Sequence, residues 1–445
     1  LFLLLSFINP IFAASEEEVE ENTEVEEEKE YIADVVEGFN KYEGFFETYQ
    51  DPESSDLYLV INESQLNEEF IYFAHVVDGV VAARRNRGSY LDNGVFKIEK
   101  HFETLRLSRI NTSYTLNKKT ALSKSEGANV SDSVLSSLSI KAKNKEENRF
   151  LINVTGLFLS EELTPIKPIP SPFENEKSFR WGQVSSSKSR IEGIHNYPNN
   201  TDIEVELVIE SAPSYNYKEE DVADSRNVSI KMRYSFIAMP NNNFEPRLAD
   251  QSIGYFSEKI TDLSSDDATP YLDLIHKWDL QKKNPELEIS EPIKPITFWL
   301  ENTTPIKFRG YITEGLLAWN EAFLKAGIKN AIEVKIQPDD AEWDAGDIRY
   351  NVLRWTSSPN PPFGGYGPSF VNPRTGEIIG ADIMLEWIYA TNRLTIDDIF
   401  TSAHGSQDCS IGSLMQEGNM MGYLTSSDAE DPEIIRQSII RLTLH

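Results

Sequence analysis

Two segments of alternating polarity place the tightest constraint on the fold of this chain. Apolar side chains stand at every second position of residues 203–209, with Glu204, Glu206 and Val208 between them, and the alternation recurs over residues 230–236 with Lys, Arg and Ser between. A period of two is typical of an antiparallel strand with one buried face. We therefore predict a pair of half-buried strands here.

Other segments extend this β-rich region, for which we predict a domain over residues 31–285. Runs of β-branched and aromatic residues predict further strands at 57–61, 70–77, 95–98, 105–110 and 150–154. The Ser- and Lys-rich residues 118–147 and the Pro-rich residues 164–172 are predicted to be long loops.

The pattern changes to mixed α and β after a Pro-punctuated connector at residues 284–295, so we predict a second domain over residues 289–445. A helix is predicted over 309–326, with Gly327 placed to end it. Its buried stripe is predicted to hold Ile312, Leu316, Trp319, Phe323 and Ala326. Strands are predicted at 296–300, 332–336 and 348–355, followed by a hairpin of 369–371 and 377–385. The predicted fold class is α+β.

The two ends of the sequence suggest processing and continuation. Residues 1–14 read as part of a signal peptide, with an apolar run too short to span a bilayer, and residues 15–30 as an acidic linker. We therefore expect export to the periplasm, the cell surface or the medium, with no stable membrane span in the mature chain. A helix predicted from Asp431 reaches His445 without a stop signal, which indicates truncation there.

Charge and composition exclude several classes of protein. The formal net charge of −30 repels phosphate backbones, so we expect no nucleic-acid partner. A single cysteine, Cys409, excludes an intrachain disulfide framework. The sequence contains no GxSxG, P-loop or GxGxxG motif. Its oligomeric state cannot be predicted.

Several segments carry a family resemblance that covers nearly the whole chain. The chain resembles the large bacterial exported zinc-dependent metalloproteases of the metzincin type, in which two uncharacterised N-terminal regions precede the catalytic domain. In the second domain the segments are PITFWLENTTP (295–305), GLLAWNEAFLKAGIKNAIEV (315–334), DIRYNVLRW (347–355), GYGPSFVNPRTGEIIGADIML (365–385) and IIRLTLH (439–445). Upstream they are EGFFETY (43–49), RNRGSY (85–90) and IGYFSEKITD (253–262).

The resemblance implies a metallopeptidase that cleaves peptide or protein substrates with zinc as cofactor. It implies a twisted mixed sheet, largely antiparallel and backed by helix 309–326, and an active-site helix that starts over 431–445. His445 would be the first zinc ligand of an H-E-x-x-H motif, whose Glu activates the zinc-bound water. That Glu would follow residue 445, so the chain as printed is expected to be inert and to bind zinc weakly.

The resemblance also assigns substrate-binding residues. In metzincins an edge strand pairs with the extended substrate, and its counterpart here is the segment Gly367, Pro368, Ser369, Phe370 and Val371. An ordinary hairpin remains an alternative for this segment.

Two other functions remain open at this point. One is a non-catalytic exported binding protein built on the β-rich domain. The other, less favoured, is a glycoside hydrolase with paired carboxylates and aromatic stacking surfaces. Its candidate residues are Trp299, Trp319, Trp343, Glu301, Glu314, Glu321 and Glu342.

Overall fold

The computed structural model describes residues 31–125, 127–168, 179–210, 221–250, 252–358 and 365–386, and the helical positions Arg436, Ile439, Ile440 and Thr443. Within these ranges the chain is β-rich with few helices, which confirms the predicted α+β class. Most strands belong to two sheets, which we name the large sheet and the second sheet. Among the described residues no helix is long and apolar enough to cross a membrane.

The large sheet joins twelve of the described strands, all in antiparallel pairs, in the order β1-β2-β3-β9-β8-β6-β5-β4-β13-β12-β10, with β11 also paired to β12. The strands that precede residue 277 are β1 (Asn40–Tyr42), β2 (Glu47–Gln50), β3 (Leu57–Asn62), β4 (Glu69–Asp78), β5 (Tyr90–His101), β6 (Thr104–Ile110), β7 (Tyr114–Thr115), β8 (Ser133–Lys143), β9 (Arg149–Asn153), β10 (Gln183–Val184), β11 (Arg190–Asn196), β12 (Asn200–Glu210), β13 (Asn227–Ala238), β14 (Ser257–Glu258), β15 (Thr261–Asp262) and β16 (Leu274–Ile275). Two short helices, α1 (Ile32–Val35) and α2 (Thr155–Phe158), and 3-10 turns at Glu63–Gln65 and Ala121–Ser125 complete this part.

The alternating segments form the neighbouring strands β12 and β13. Their apolar residues lie directly opposite one another, as in the pairs Ile203 with Tyr234 and Val205 with Met232. These side chains pack into the main core, and the five other predicted strands are also confirmed. The loop predicted over 118–147 was wrong in part, because β8 within it is a full strand of the large sheet.

Part of the opposite face of β12 and β13 is buried. Asp202 on β12 and Arg233 and Ser235 on β13 are buried, although the alternation predicted a solvated face. The reason is that the second sheet covers this face. There Ile71, Phe73 and Ile237 of the large sheet form one cluster with apolar residues of the second sheet, namely Phe370, Ile348 and Ile379.

The second sheet has the described order β17-β23-β20-β18-β19, with β21 and β22 also paired to β23. Its elements are β17 (Lys277–Trp278), β18 (Ile296–Leu300), α3 (Ile306–Lys325), β19 (Ile332–Ile336), β20 (Asn351–Thr356), β21 (Gly365–Tyr366), β22 (Ser369–Val371) and β23 (Glu377–Glu386). β17 therefore joins this sheet although it lies upstream of the boundary predicted after residue 285.

The second sheet is mixed, as predicted, but the expectation that it is largely antiparallel was wrong. The strands β17, β18, β19, β20 and β23 all pair in parallel, and β21 and β22 alone pair antiparallel, both with β23. The helix α3 accounts for part of this arrangement, because it returns the chain from the end of β18 to the start of β19. Parallel neighbours need such a crossover.

The helix α3 packs Phe308, Ile312 and Leu316 against the second sheet. At its C-terminus the N–H of Gly327 donates to the Leu324 carbonyl and that of Ile328 to the Phe323 carbonyl, each at 2.9 Å. This pair of bonds is a Schellman motif, and Gly327 has the positive φ of 85° that it requires. The predicted stop is thus confirmed.

The predicted buried stripe of α3 was wrong at two of its five positions, Trp319 and Ala326, whereas Phe323 packs against the core of the second sheet as predicted. Trp319 is 45% exposed, and Ala326 is exposed as well. The fully buried apolar residues of the helix are Phe308, Ile312 and Leu316, and Phe323 is half-buried, so the spacing identified the correct face.

Candidate functional site

The predicted substrate segment forms the outer edge of the second sheet. Ser369 lies opposite Ala381 and Phe370 opposite Gly380, while Gly367 and Pro368 connect β21 to β22. The ring of Phe370 packs on Phe73 of the large sheet, with 4.3 Å between ring centroids. The structure therefore brings all five predicted residues into one antiparallel edge.

The backbone of Ser369 faces away from β23. The N–H of Asp382 donates to the Pro368 carbonyl at 3.1 Å, so this pair is a hydrogen-bonded one. In an antiparallel ladder the next residue, Ser369, turns its N–H and C=O outward. Among the described strands, β22 pairs with β23 alone. The amide of Ser369 can thus bind an added extended chain.

The two ends of this edge are fixed to the large sheet. The amide N–H of Tyr90 donates to the Tyr366 hydroxyl at 3.0 Å, and the side chain of Asn93 donates to the Val371 carbonyl at the same distance. Both contacts hold the edge in place from β5. Gly88, which precedes β5 and has a φ of 80°, lies close to Tyr366 and Met384.

Buried polar side chains lie behind the edge. Burial raises the pKa of Asp382 to about 7, against the opposing effect of the nearby Arg354 guanidinium. Burial lowers the pKa of His75 to about 3, helped by the positive charges of Arg233 and Arg354. At neutral pH His75 is therefore uncharged.

The described positions near the C-terminus pack on α3. Ile439 is buried in the same core as Ile312 and Leu316. A Cβ added to Gly315 would meet the Cβ of Thr443 at 2.8 Å, so the two helical segments approach as closely as a glycine permits. The predicted helix over 431–445 is therefore helical at each position the structure describes. The predicted zinc ligand, His445, lies outside the described residues.

Among the described residues, no group of three or more His, Cys, Asp or Glu side chains could hold a metal ion. Zinc sites in peptidases use three protein ligands and a water. The described residues therefore provide no zinc site, and we derive no catalytic step through the metal from them.

Three of the four acids of the glycosidase alternative interact with different cations: Glu301 with Arg354, Glu314 with Arg436 and Glu321 with Lys325. Glu342 is exposed. Of the three tryptophans, Trp299 and Trp343 are in contact, with 5.2 Å between ring centroids.

A charged cluster between the two sheets was not predicted from the sequence. The buried guanidinium of Arg233 pairs with Glu204 through two of its nitrogens and lies 3.7 Å from carboxylate oxygens of both Asp202 and Asp344. Asp344 belongs to the segment before β20, so it reaches Arg233 from the second sheet. We name Arg233, Asp202, Glu204, Asp344 and His195 the interface cluster.

His195 completes the interface cluster. Its Nδ1 lies 3.2 Å from Asp344 and its Nε2 lies 3.7 Å from Glu204. Hydrogen bonding to Asp344 and then to Glu204 raises the pKa of His195 to about 9. The hydroxyl of Tyr197 donates to Asp344 at 2.9 Å. At neutral pH two cations therefore balance most of the charge of three acids.

This pKa shift predicts that stability falls in mild alkali. Because the folded pKa of His195 exceeds its usual value of 6.5, its contribution is complete below pH 6.5 and is lost as the pH rises through 9. The shift corresponds to at most about 3 kcal/mol, and exposure of Asp344 reduces this to about 1–2 kcal/mol. Urea denaturation at pH 7.5 and 9.5 should reveal this loss.

The control for this measurement is a pair of histidine variants. His195→Gln should reduce the change in the free energy of unfolding between pH 7.5 and 9.5. His101→Gln, at an exposed position, should leave this change as in the unaltered protein. The contributions of Asp202 and Asp382, whose raised pKa values are about 6 and about 7, change mostly below this range. An unchanged loss of stability with pH in His195→Gln would contradict the assignment of this loss to His195.

Comparison with known proteins identifies one region. Residues 88–283 match the model of a domain of unknown function (DUF5117). The match covers less than half of the chain and includes β5 to β17 with Asp202, Arg233 and His195 of the interface cluster. No curated protein and no solved structure matches the chain.

Proposed function

We propose that this chain belongs to a zinc-dependent metallopeptidase, in which an extended peptide binds along β22. The observation that carries this proposal is the outward-facing amide of Ser369 at the antiparallel edge of an otherwise parallel sheet. The sequence resemblance to metzincin-type peptidases supports it, because the matching segments 295–305, 315–334, 347–355 and 365–385 contain the main elements of the second sheet.

The described residues have a clear part in this reaction. The N–H and C=O of Ser369 would form hydrogen bonds with the main chain of a substrate. The contacts of Tyr90 and Asn93 would hold the edge strand in a fixed position relative to the large sheet. Zinc, when bound, would supply an activated water. By resemblance its first ligand is His445, which packing at Ile439 and Thr443 would help to orient.

The test is metal content and peptide hydrolysis of the protein isolated from its native source. We expect about one zinc per chain and cleavage of casein that stops with a chelator and returns with added zinc. Protein that is zinc-free and inactive after zinc addition would refute the proposal. A non-catalytic binding function would then be favoured.

A substitution at the edge tests the substrate assignment. Ser369→Pro removes the outward N–H without removing a ladder bond, so KM for a casein-derived peptide should rise about tenfold. Ser369→Ala retains the N–H and should leave KM within about twofold. An equal KM in the two variants would show that the substrate does not pair with this edge.

We also propose that the protein is exported and that residues 31–285 serve as a module that holds the peptidase edge. The apolar run at residues 1–8, outside the described residues, supports export. The bonds from Tyr90 and Asn93 to the edge support the second role. Fractionation of the source cells would test export, and retention of the intact protein in the cytoplasm would contradict it.

A further inference from the structure

A small cavity of about 10 Å³ lies behind the edge segment 367–371, where the two sheets meet. The strand β4 of the large sheet, the edge segment itself, and the strands β20 and β23 of the second sheet all line it. The residues that matter for the argument are Phe73 and His75 of β4, Pro368 and Phe370 of the edge segment, Arg354 of β20 and Asp382 of β23. The cavity therefore touches both sheets and the back of the edge segment.

Two buried polar atoms at this cavity have no hydrogen-bond partner within the described chain. They are the Nδ1 of His75 and the Oδ1 of Asp382. Asp382 is only 8% exposed, and the backbone of Val352 bonds its carboxylate. Burying a polar atom without a hydrogen bond is unfavourable, so folded proteins pair such atoms with protein groups or with ordered water. Because the two atoms belong to opposite sheets at one small cavity, a single shared partner can satisfy both.

The size and charge of the cavity favour a water molecule as this partner. A cavity needs roughly 10–15 Å³ to hold one water, and that water needs two to four polar partners. Residues of both charge signs, Arg354 and Asp382, line the cavity, so a neutral ligand fits better than a cation or an anion. A water molecule also donates and accepts hydrogen bonds, so it can bond Nδ1 in either tautomer of the neutral His75 ring.

We propose that one structural water molecule binds in this cavity and bridges His75 Nδ1 to Asp382 Oδ1. The bridge joins β4 to β23 across the two sheets. Since the N–H of Asp382 donates to the Pro368 carbonyl at 3.1 Å, the bridge also supports the back of the edge segment. It adds to the direct bonds from Tyr90 and Asn93. The water site requires neither zinc nor the proposed peptidase activity.

The first test is a crystal structure of the unaltered protein, at a resolution that shows ordered water, prepared with and without chelator. We expect density for one water within about 3.2 Å of both His75 Nδ1 and Asp382 Oδ1 in each preparation. A direct bond between the two side chains, or an absence of density between them, would overturn the proposal. So would a metal ion or chloride identified there by anomalous scattering. Because this test involves no hydrolysis, its result is independent of the proposed function.

The second test removes one side of the bridge. His75→Phe retains a ring of similar size but loses Nδ1, so the water should be lost. The amide of Asp382 should then exchange its hydrogen about tenfold faster, as expected for the loss of roughly one net hydrogen bond. His276→Phe is the matched control, because the Nε2 of His276 contacts Glu258 directly at 3.0 Å and His276 does not line the cavity.

The control variant should retain both the water and the exchange rate of the Asp382 amide. Equal exchange rates in the two variants, or a water retained in His75→Phe, would contradict the bridge. If His75→Phe does not fold, the crystal structure of the unaltered protein decides the question alone.

Discussion

Replacing Arg233 with methionine should lower the free energy of unfolding by about 3–5 kcal/mol, one of the two largest effects we expect in this protein. The side chain of Arg233 is buried, and three carboxylates surround it: Asp202, Glu204 and Asp344. Methionine fills a similar volume but leaves these acids to repel one another in a poorly solvated region. Urea denaturation followed by tryptophan fluorescence would measure the loss.

The charge balance explains why removing this one residue costs so much. Burial raises the pKa of Asp202 to about 6, while Arg233 and His195 hold the pKa of Glu204 at about 2. The surrounding acids in turn raise the pKa of Arg233 despite its burial. Breaking one member of such a group is expensive, because the remaining charges stay buried without a partner.

The control uses a water-exposed ion pair in the turn that precedes β13. Arg226 contacts Asp224 and both side chains are well exposed, so Arg226→Met should cost less than about 1 kcal/mol. In the Arg233→Met background, adding Glu204→Gln should restore part of the stability because it removes one unbalanced charge. Equal losses in the two single variants would show that the interface cluster contributes nothing.

Local pattern was enough to predict most individual elements. The strands β18, β19 and β22 have the predicted bounds, and the alternating segments lie opposite one another in β12 and β13. These features depend on side-chain period and on turn residues near in sequence. The Schellman motif at Gly327 is of the same kind, since one glycine at the end of a helix specifies it.

Two features depend on contacts between residues distant in sequence: the direction of the strands in the second sheet, and the burial of the polar face of β12 and β13. Acids between apolar residues normally face water, yet Asp202 is buried because Asp344 and Gly346 arrive from another sheet. Similarly, nothing in the short runs of β18 and β20 encodes whether they pair in parallel. The interface cluster could have been suspected only from the Arg within 230–236, which alternates with apolar residues as any solvated Arg would.

The candidate site could be predicted only in part, because some of its contacts are local in sequence and others are not. Residues 367–371 are contiguous, so a resemblance within 365–385 was sufficient to place them on one edge. Their anchoring to Tyr90 and Asn93 involves residues nearly 280 positions earlier and has no local signal. The interpretation of His445 stays a prediction, because that residue lies outside the described part of the chain.

The same substitution at two glycines of α3 should change stability in opposite directions. A Cβ at Gly310 would have no heavy atom within 4 Å, so Gly310→Ala should stabilise the protein by up to about 1 kcal/mol through helix propensity. A Cβ at Gly315 would lie 2.8 Å from the Cβ of Thr443 and 3.1 Å from the Ile440 carbonyl oxygen. Thermal unfolding of the two variants would measure the difference.

We expect Gly315→Ala to destabilise the protein by about 1–3 kcal/mol, since overpacking outweighs the gain in propensity. Neither contact can be relieved by rotating a flexible side chain, because one atom is a Cβ and the other belongs to the backbone. The helical segment must therefore shift, and Thr443 lies two residues before His445. If His445 is a zinc ligand, Gly315→Ala should also weaken zinc retention in a chelator competition, whereas Gly310→Ala should not. Equal zinc retention with unequal stability would separate the packing of this segment from the proposed metal site.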